Sequence, residues 1–186
     1  QPRILGKLLE NLLIQKDESV LVVGSGCGYM ASVVGKLAEL VVGVESDKVL
    51  IESSEQSVIE AGIDNVIIVE SELSLGATQH GLYDVIIFEG AIDLVPDIIL
   101  SQLKECGRIA AFFSERNLTE ARVGVKVNGV LSWRSCFSCD VPVMKEFRKF
   151  CSILTTQHIP IQWEGQFIFR NGTTQEDWDS LKGSGC

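Results

Sequence analysis

The sequence predicts an α/β fold in which a doubly wound, mostly parallel sheet ends in a C-terminal antiparallel hairpin. Short apolar runs alternate along the chain with segments of helical periodicity, which is the order expected of strands joined by helices. These runs are apolar at consecutive positions, as in strands that helices cover on both faces. Asn128-Gly129 then separates two segments of alternating polarity, and Asn-Gly is the strongest short signal of a hairpin turn.

Each predicted element follows from a local pattern. Pro2 suits the first turn of a helix, and the apolar residues after it recur at helical spacing. The next apolar run is bounded by charge and glycine, as expected of a buried strand, and the strand–helix pattern then repeats. In chain order, the predicted elements before the hairpin are a helix over 2–13, a strand over 20–23, a helix over 28–40, a strand over 40–45, a helix over 47–61, strands over 65–70 and 83–90, a helix over 96–103 and a strand over 107–113.

Length, composition and charge restrict the kind of protein. The 186 residues, 46% of them hydrophobic and 22% charged, are typical of one folded domain. We place this domain at residues 1–149, followed over 150–186 by an edge strand at 165–169 and a polar tail. The net charge of −9 disfavours nucleic acid as a partner, because such binding relies on Lys and Arg. No apolar run approaches the ~20 residues of a membrane-spanning helix, so we expect a cytoplasmic protein without membrane association.

The pair Cys136 and Cys139 has a spacing found in zinc and redox sites. Residues three apart on a strand point to opposite faces, and no second pair at ligand spacing accompanies this one. We therefore predict no metal site, and we interpret the six cysteines as reduced thiols.

A glycine-rich loop joins the first strand to the following helix. Gly24, Gly26 and Gly28 let a ligand approach the backbone closely, beside the positive end of the helix. The dinucleotide fingerprint GxGxxG requires a third glycine where this chain has Tyr29, so the match to a pyrophosphate-binding loop fails there. The pattern GxGxG followed by an aromatic residue suggests S-adenosylmethionine instead.

Three acidic residues are predicted at the carboxyl ends of neighbouring strands. Glu45 ends the second strand, where doubly wound nucleotide-binding folds carry an acid that accepts hydrogen bonds from ribose hydroxyls. Glu72 follows the third strand and is a candidate acceptor for an adenine amino group, and Glu89 follows the fourth. A crevice lined by three acids favours a sulfonium cation and repels a pyrophosphate.

At this point the chain resembles the protein-L-isoaspartate O-methyltransferases over roughly residues 1–149. The segment QPRILGKLLENL is similar to the family's Gln-Pro and helix, VLVVGSGCGY to its cofactor loop, and VVGVESD to its second-strand acid segment. IIFEGAIDLVPDIILSQLKECGRI and CDVPVMKEF resemble its later strands and the end of its core domain. The pattern is closest to a divergent bacterial branch, and the family's Thr-Ile-Ser segment, which precedes its Gln-Pro, is expected to be absent from this chain.

The resemblance implies a Rossmann-like methyltransferase fold that uses S-adenosyl-L-methionine. It further implies repair of damaged proteins or peptides by methyl transfer to the carboxylate of L-isoaspartyl residues. Because that carboxylate is itself the nucleophile, no strong general base is required and we assign no catalytic residue. The cofactor-binding residues implied are Gly24, Ser25, Gly26, Gly28, Tyr29, Glu45, Ser46, Glu72, Leu73 and Glu89.

Two positions depart from the family's pattern and leave alternatives open. Val22 stands where the family usually carries an acidic residue, which should weaken the polar network behind the loop, and Glu89 stands where many members have threonine. One alternative is a degenerate methyltransferase fold that serves as a binding module. Another is a methyltransferase for a different acceptor, because neither fold nor cofactor loop sets the acceptor. A nicotinamide dehydrogenase is the weakest alternative, since Tyr29 disfavours it.

Overall fold

The fold is that of a computed structural model, which describes residues 1–115 and 118–148. The predicted edge strand at 165–169 and the polar tail lie outside the described residues, and the division of the chain at residue 149 stays a prediction. Among the helices in the described ranges, none has both the length and the apolar character needed to cross a bilayer.

Helices and strands alternate through the first two thirds of the chain. The α-helices are α1 (Pro2–Leu12), α2 (Tyr29–Gly35), α3 (Lys48–Glu60) and α4 (Asp97–Ser101), with 3₁₀ turns at Leu73–Leu75, Thr78–His80 and Lys145–Phe147. The strands are β1 (Ser19–Val23), β2 (Leu40–Glu45), β3 (Val66–Glu70), β4 (Tyr83–Ile92), β5 (Leu103–Glu115), β6 (Leu118–Val127) and β7 (Val130–Cys139).

The described strands form one sheet in the order β3-β2-β1-β4-β5-β6-β7. The first five run parallel, whereas β6 and β7 are antiparallel and meet at Asn128 and Gly129, which both have positive φ. The predicted fold class, including the C-terminal hairpin, is thus confirmed. Strand order reverses between β1 and β4, and open α/β sheets bind ligands at the carboxyl ends of the strands at such a point.

Two hydrophobic cores cover the two faces of the sheet. Along β1, Val20 and Val22 point into the first core, which α1 and α2 cover. Leu21 and Val23 point into the second core, which includes α4 and the turn Leu73–Leu75. All four of these side chains are fully buried. Burial on both faces explains why the strand is apolar at every position instead of alternating.

The helix α2 ends at Gly35, several residues before the predicted boundary. The Nδ2 of Asn65 donates to the carbonyl oxygens of Gly35, Ala38 and Glu39 at 2.8, 3.0 and 3.1 Å. The bond to Gly35 satisfies a carbonyl that the helix end leaves without a partner, and the other two hold the turn that follows. A side chain from the start of β3 therefore stabilises the exit from α2, and sequence periodicity cannot show this contact.

The helix α4 is also shorter than predicted, because Gln102 ends it and β5 begins at the next residue. The buried Gln102 amide donates through Nε2 to the carbonyl oxygens of Leu75 and Ile98 at 2.8 and 2.9 Å. Its Oε1 accepts from the N–H of Ala77 at 2.9 Å. The amide thus connects α4 to the loop that follows β3.

The prediction that Cys136 and Cys139 point to opposite faces is wrong. Both residues pack against the first core. Phe137 pairs with Ala121 and Ser135 pairs with Arg122, so Cys136 is the extra residue of a β-bulge in β7. One extra residue reverses the alternation of side chains beyond it.

Replacing Gly28 by alanine tests how closely α2 and α3 pack. A Cβ at Gly28 would lie 2.5 Å from the Oγ and 3.0 Å from the carbonyl oxygen of Ser54 on α3, whereas a Cβ at Gly62 would meet no atom within 4 Å. Both glycines have positive φ. We expect Gly62→Ala to cost the backbone strain alone, about 1–2 kcal/mol, and Gly28→Ala about 1–3 kcal/mol more from overpacking. Urea unfolding measures both, and equal losses would contradict this packing.

The stability of the sheet should fall in acid through Asp84. Its Oδ2 accepts from the backbone N–H and Oγ of Ser19 at 2.9 and 2.8 Å and from Lys104 Nζ at 2.8 Å, which links β1, β4 and β5. Burial opposes ionisation, but the hydrogen bonds from Lys104 and Ser19 outweigh it and hold the pKa of Asp84 below its usual range. This stabilisation is present above the unfolded-state value near ~4 and is lost as pH falls through the folded-state pKa. Asp84→Asn should therefore flatten the acid limb of unfolding free energy against pH, while Asp64→Asn, at an exposed site, should leave the limb unchanged.

Candidate functional site

The glycine loop lies at the carboxyl end of β1, beside the reversal of strand order. Gly24, Gly26 and Gly28 have φ angles of +76°, +53° and +79°, which side chains rarely tolerate. The backbone N–H groups of Gly24 and Ser25 both donate to the carbonyl oxygen of Val44, at 2.9 and 3.0 Å. The loop is thus attached to β2, and its tight course depends on glycine.

Glu45 holds the same loop through its side chain. The carboxylate is buried, with 5% of the residue exposed, and its Oε2 accepts from the N–H of Gly26 at 2.9 Å. Its Oε1 accepts from the N–H groups of Ser46 and Asp47 at 2.8 and 3.2 Å. These three N–H groups supply the hydrogen bonds that a buried polar group requires. The predicted end-of-strand acid therefore lies next to the predicted loop, and Ser46 contacts it through the backbone.

Val22 lies behind the loop but does not contribute to holding it. Its side chain is fully buried in the first core. Where the sequence comparison anticipates an acid on β1, the loop is held from β2 instead, by Glu45 and by the Val44 carbonyl. The hydroxyl of Ser25 is buried beneath the loop, and among the described residues it has no hydrogen-bond partner. It is an unused polar group at the loop itself.

In the segment after β3, Leu73 lies beside the glycine loop, whereas Glu72 points to solvent. A Cβ at Gly24 would lie 3.9 Å from Leu73 Cδ1, so this buried side chain lies beside the loop. Glu72 caps the turn Leu73–Leu75 and is exposed to solvent. The N–H of Ser71 donates to the carbonyl oxygen of Glu45 at 3.1 Å, which fixes the segment against β2.

Glu89 belongs to β4, and the prediction that it follows the strand is wrong. The register between β4 and β5 shifts between Ile87 and Ala91, and Glu89 lies in this irregular stretch. Burial raises the pKa of Glu89 to about 8, and the nearby Glu45 carboxylate adds to this rise. Of the three predicted acids, the structure thus brings Glu45 and Glu89 into electrostatic contact and leaves Glu72 exposed.

The side chain of Met144 covers the point where the strand order reverses. A Cβ at Gly24 would lie 2.6 Å from Met144 Cε, and one at Gly90 would lie 2.5 Å from Met144 Cγ. The N–H of Met144 donates to the Ala91 carbonyl oxygen at 2.8 Å, and the N–H of Ala91 donates to the carbonyl oxygen of Pro142 at 2.8 Å. Sequence reasoning placed this segment only at the end of the domain. In the sequence, the glycine at position 90 is the one local sign that another side chain approaches β4 closely.

Comparison with known proteins agrees with this geometry. The family model described as Protein-L-isoaspartate(D-aspartate) O-methyltransferase (PCMT) matches residues 1–145. Protein-L-isoaspartate O-methyltransferase 2 of Pelobacter propionicus is 29% identical over 141 residues, covering 76% of this chain and 63% of that protein. The Thermotoga maritima protein-L-isoaspartate O-methyltransferase is 35% identical over 112 residues, covering 59% of this chain and 35% of that protein. The chain thus spans less than two thirds of the length of these relatives.

Solved structures give the same result. A protein-L-isoaspartate O-methyltransferase superposes with a TM-score of 0.70 at 29% identity, covering 77% of this chain and 47% of that one. A protein described as a putative member from Plasmodium falciparum, in complex with S-adenosyl-L-homocysteine, has a TM-score of 0.65 at 22% identity and covers 78% of this chain and 74% of that one. The resemblance inferred from the sequence is confirmed, and the fold is that of S-adenosylmethionine-dependent methyltransferases. The chain belongs to the protein-L-isoaspartate(D-aspartate) O-methyltransferase family.

Proposed function

We propose that this chain transfers a methyl group from S-adenosyl-L-methionine to the carboxylate of L-isoaspartyl residues in damaged proteins. Family membership over residues 1–145 supports a methyltransferase that acts on proteins. The observation that carries the proposal is the glycine loop, which the buried Glu45 carboxylate holds at the reversal of strand order. That is where open α/β sheets bind their ligands.

The residues around this loop fit S-adenosylmethionine. Glu45 Oε2 accepts one hydrogen bond and keeps capacity for a second, as an acceptor for a ribose hydroxyl requires. The backbone is open at Gly26, because a Cβ there would meet only the Gly24 carbonyl oxygen, at 4.0 Å, and the buried Ser25 hydroxyl has no partner among the described residues. Leu73 supplies apolar surface beside Gly24. In this proposal these residues, with Gly24, Gly28, Tyr29, Ser46 and Glu72, hold the cofactor.

The chain's own contribution to the reaction is positioning and exclusion of water. When bound, S-adenosylmethionine supplies a methyl group made electrophilic by the positive charge on its sulfur. The acceptor carboxylate is already a nucleophile, so the protein needs no base and must only align and desolvate it. The apolar side chains of Met30 and Phe112, which lie on the β4 and β5 side of the loop, provide the low-dielectric surroundings.

A second candidate is a methyltransferase fold that binds a partner without catalysis. Val22 and Met144 favour it, because the loop lacks an acid on β1 and the Met144 side chain packs on Gly24. In that case the crevice would bind S-adenosylhomocysteine weakly or not at all. A third candidate, methyl transfer to a different acceptor, differs from the proposal only in the substrate.

Titration with S-adenosylhomocysteine separates the first two candidates. We expect binding to the protein, and we expect Glu45→Gln to weaken it by about tenfold or more, because an amide offers a donor where the carboxylate offers only acceptors. Glu55→Gln, at an exposed site on α3, is the matched control and should bind like the wild type. Calorimetry measures the affinities, and an unaltered circular dichroism spectrum shows that Glu45→Gln is folded. If Glu45→Gln and the wild type bound S-adenosylhomocysteine with equal affinity, Glu45 would not be part of the binding site.

Methyl transfer to peptides tests the acceptor. With labelled S-adenosylmethionine, we expect label in a peptide that contains L-isoaspartate and none in the same peptide with aspartate or asparagine. The products are measured after separation of the peptides. Cofactor binding without transfer to the isoaspartyl peptide would exclude the proposed function, and transfer to an amine or a hydroxyl would establish the third candidate instead.

A further inference from the structure

Glu89 lines a cavity of about 260 Å³ next to the glycine loop. The walls come from several elements and are mostly apolar: Ile4 and Leu5 lie on α1, Phe112 on β5, and Pro142 in the segment after β7. The volume is below the roughly 300–1,000 Å³ of sites that enclose a whole small molecule. The cavity therefore suits part of a ligand, such as one side chain.

The position of the cavity distinguishes it from the proposed nucleoside site. Glu45 and Leu73 lie on the β2 and β3 side of the loop, whereas Glu89 lies on β4 and faces the β5 side. Tyr29, which follows the last loop glycine, lines the cavity and is half exposed. A ligand in the cavity would therefore lie on the β4 and β5 side of the glycine loop.

The Oε2 atom of Glu89 is buried, and it has no hydrogen-bond partner among the described residues. The Glu45 carboxylate acts on this carboxyl group electrostatically, and Tyr29 lines the same cavity. With its pKa raised to about 8 by burial, the group is mostly protonated at neutral pH. It therefore carries an O–H donor that no described residue uses.

We propose that Glu89, as a neutral carboxylic acid, donates a hydrogen bond to the methyl-acceptor carboxylate and holds it in this cavity. The proposal rests on the proposed function and names the residue that selects a carboxylate as acceptor. A carboxylic acid bound to a carboxylate makes a short, charge-assisted hydrogen bond, and the proton on Glu89 removes the repulsion between two anions at one site. The proton stays on Glu89 throughout, and the bonds that form and break are those of the methyl transfer alone.

This arrangement also favours release of the product. A methyl ester carries no negative charge, so its hydrogen bond with Glu89 is weaker than that of the carboxylate. Ionised Glu89, in contrast, would repel an acceptor carboxylate. The affinity for the acceptor should therefore depend on pH in a way that a merely structural role of Glu89 would not produce.

Calorimetric binding of an isoaspartyl peptide, with S-adenosylhomocysteine present, tests the proposal without turnover. The peptide carboxylate stays ionised above about pH 6, so its Kd should be constant up to roughly pH 7 and rise toward tenfold per pH unit above about 8. Glu89→Gln keeps a neutral donor, so its Kd should stay near the wild-type value and not change with pH. Glu89→Leu removes the donor and should weaken binding by about tenfold or more at pH 6.5. Glu55→Gln should reproduce the wild-type profile.

A second measurement, made on the wild type, tests the proposal if the variants fold poorly. Carbon NMR of the glutamate carboxyl groups in the wild type should show one group that titrates near pH 8, absent in Glu89→Gln, whose titration moves to higher pH when the peptide binds. A wild-type Kd without pH dependence would overturn the proposal, even if the isoaspartyl peptide is methylated. Failure of every carboxylate peptide to bind would also overturn it. The same pH profile with an aspartyl peptide alone would support the role of Glu89 and exclude the isoaspartyl acceptor.

Discussion

The hydrogen bond from the N–H of Gly26 to the Glu45 carboxylate is the contact on which the candidate site depends. It connects the loop after β1 to the end of β2, and the Val44 carbonyl oxygen reinforces it with two further N–H groups. A loop of three glycines has high conformational entropy when free, so its shape requires such anchors. The same carboxylate orients the loop, leaves acceptor capacity for a ligand and acts electrostatically on Glu89. The side chain of Glu45 thus holds the glycine loop and also acts on Glu89, which lies on the other side of the crevice.

The parts of this fold that the sequence predicts are those set by local patterns. Runs that are apolar at every position indicate strands buried on both faces, and Asn128-Gly129 indicates the turn of the hairpin. Glu45 is found in the same way, because it ends a strand whose length its own residues define. These features need no knowledge of distant contacts.

The features that escaped prediction depend on pairing between distant segments. The register of β4 with β5 is irregular around Glu89, and Cys136 is a bulge because of its partner strand β6. The helix α2 ends where Asn65, from the start of β3, satisfies its carbonyl groups. Met144 reaches the glycine loop from the end of the domain. No periodicity within the segments concerned contains this information.

The segment that carries Met144 closes the crevice and is packed into the domain. Two backbone hydrogen bonds join it to Ala91, a third runs from the Asp93 N–H to the Phe147 carbonyl oxygen, and the Phe147 ring packs edge-on against Phe88 at 5.2 Å. Val143 packs against the first core, and Phe147 is buried in the second. A ligand that approaches Gly24 or Gly90 therefore shares its space with the thioether of Met144, an unbranched side chain that adapts its shape more easily than other core residues. The room beside the loop thus depends on the conformation of one flexible side chain.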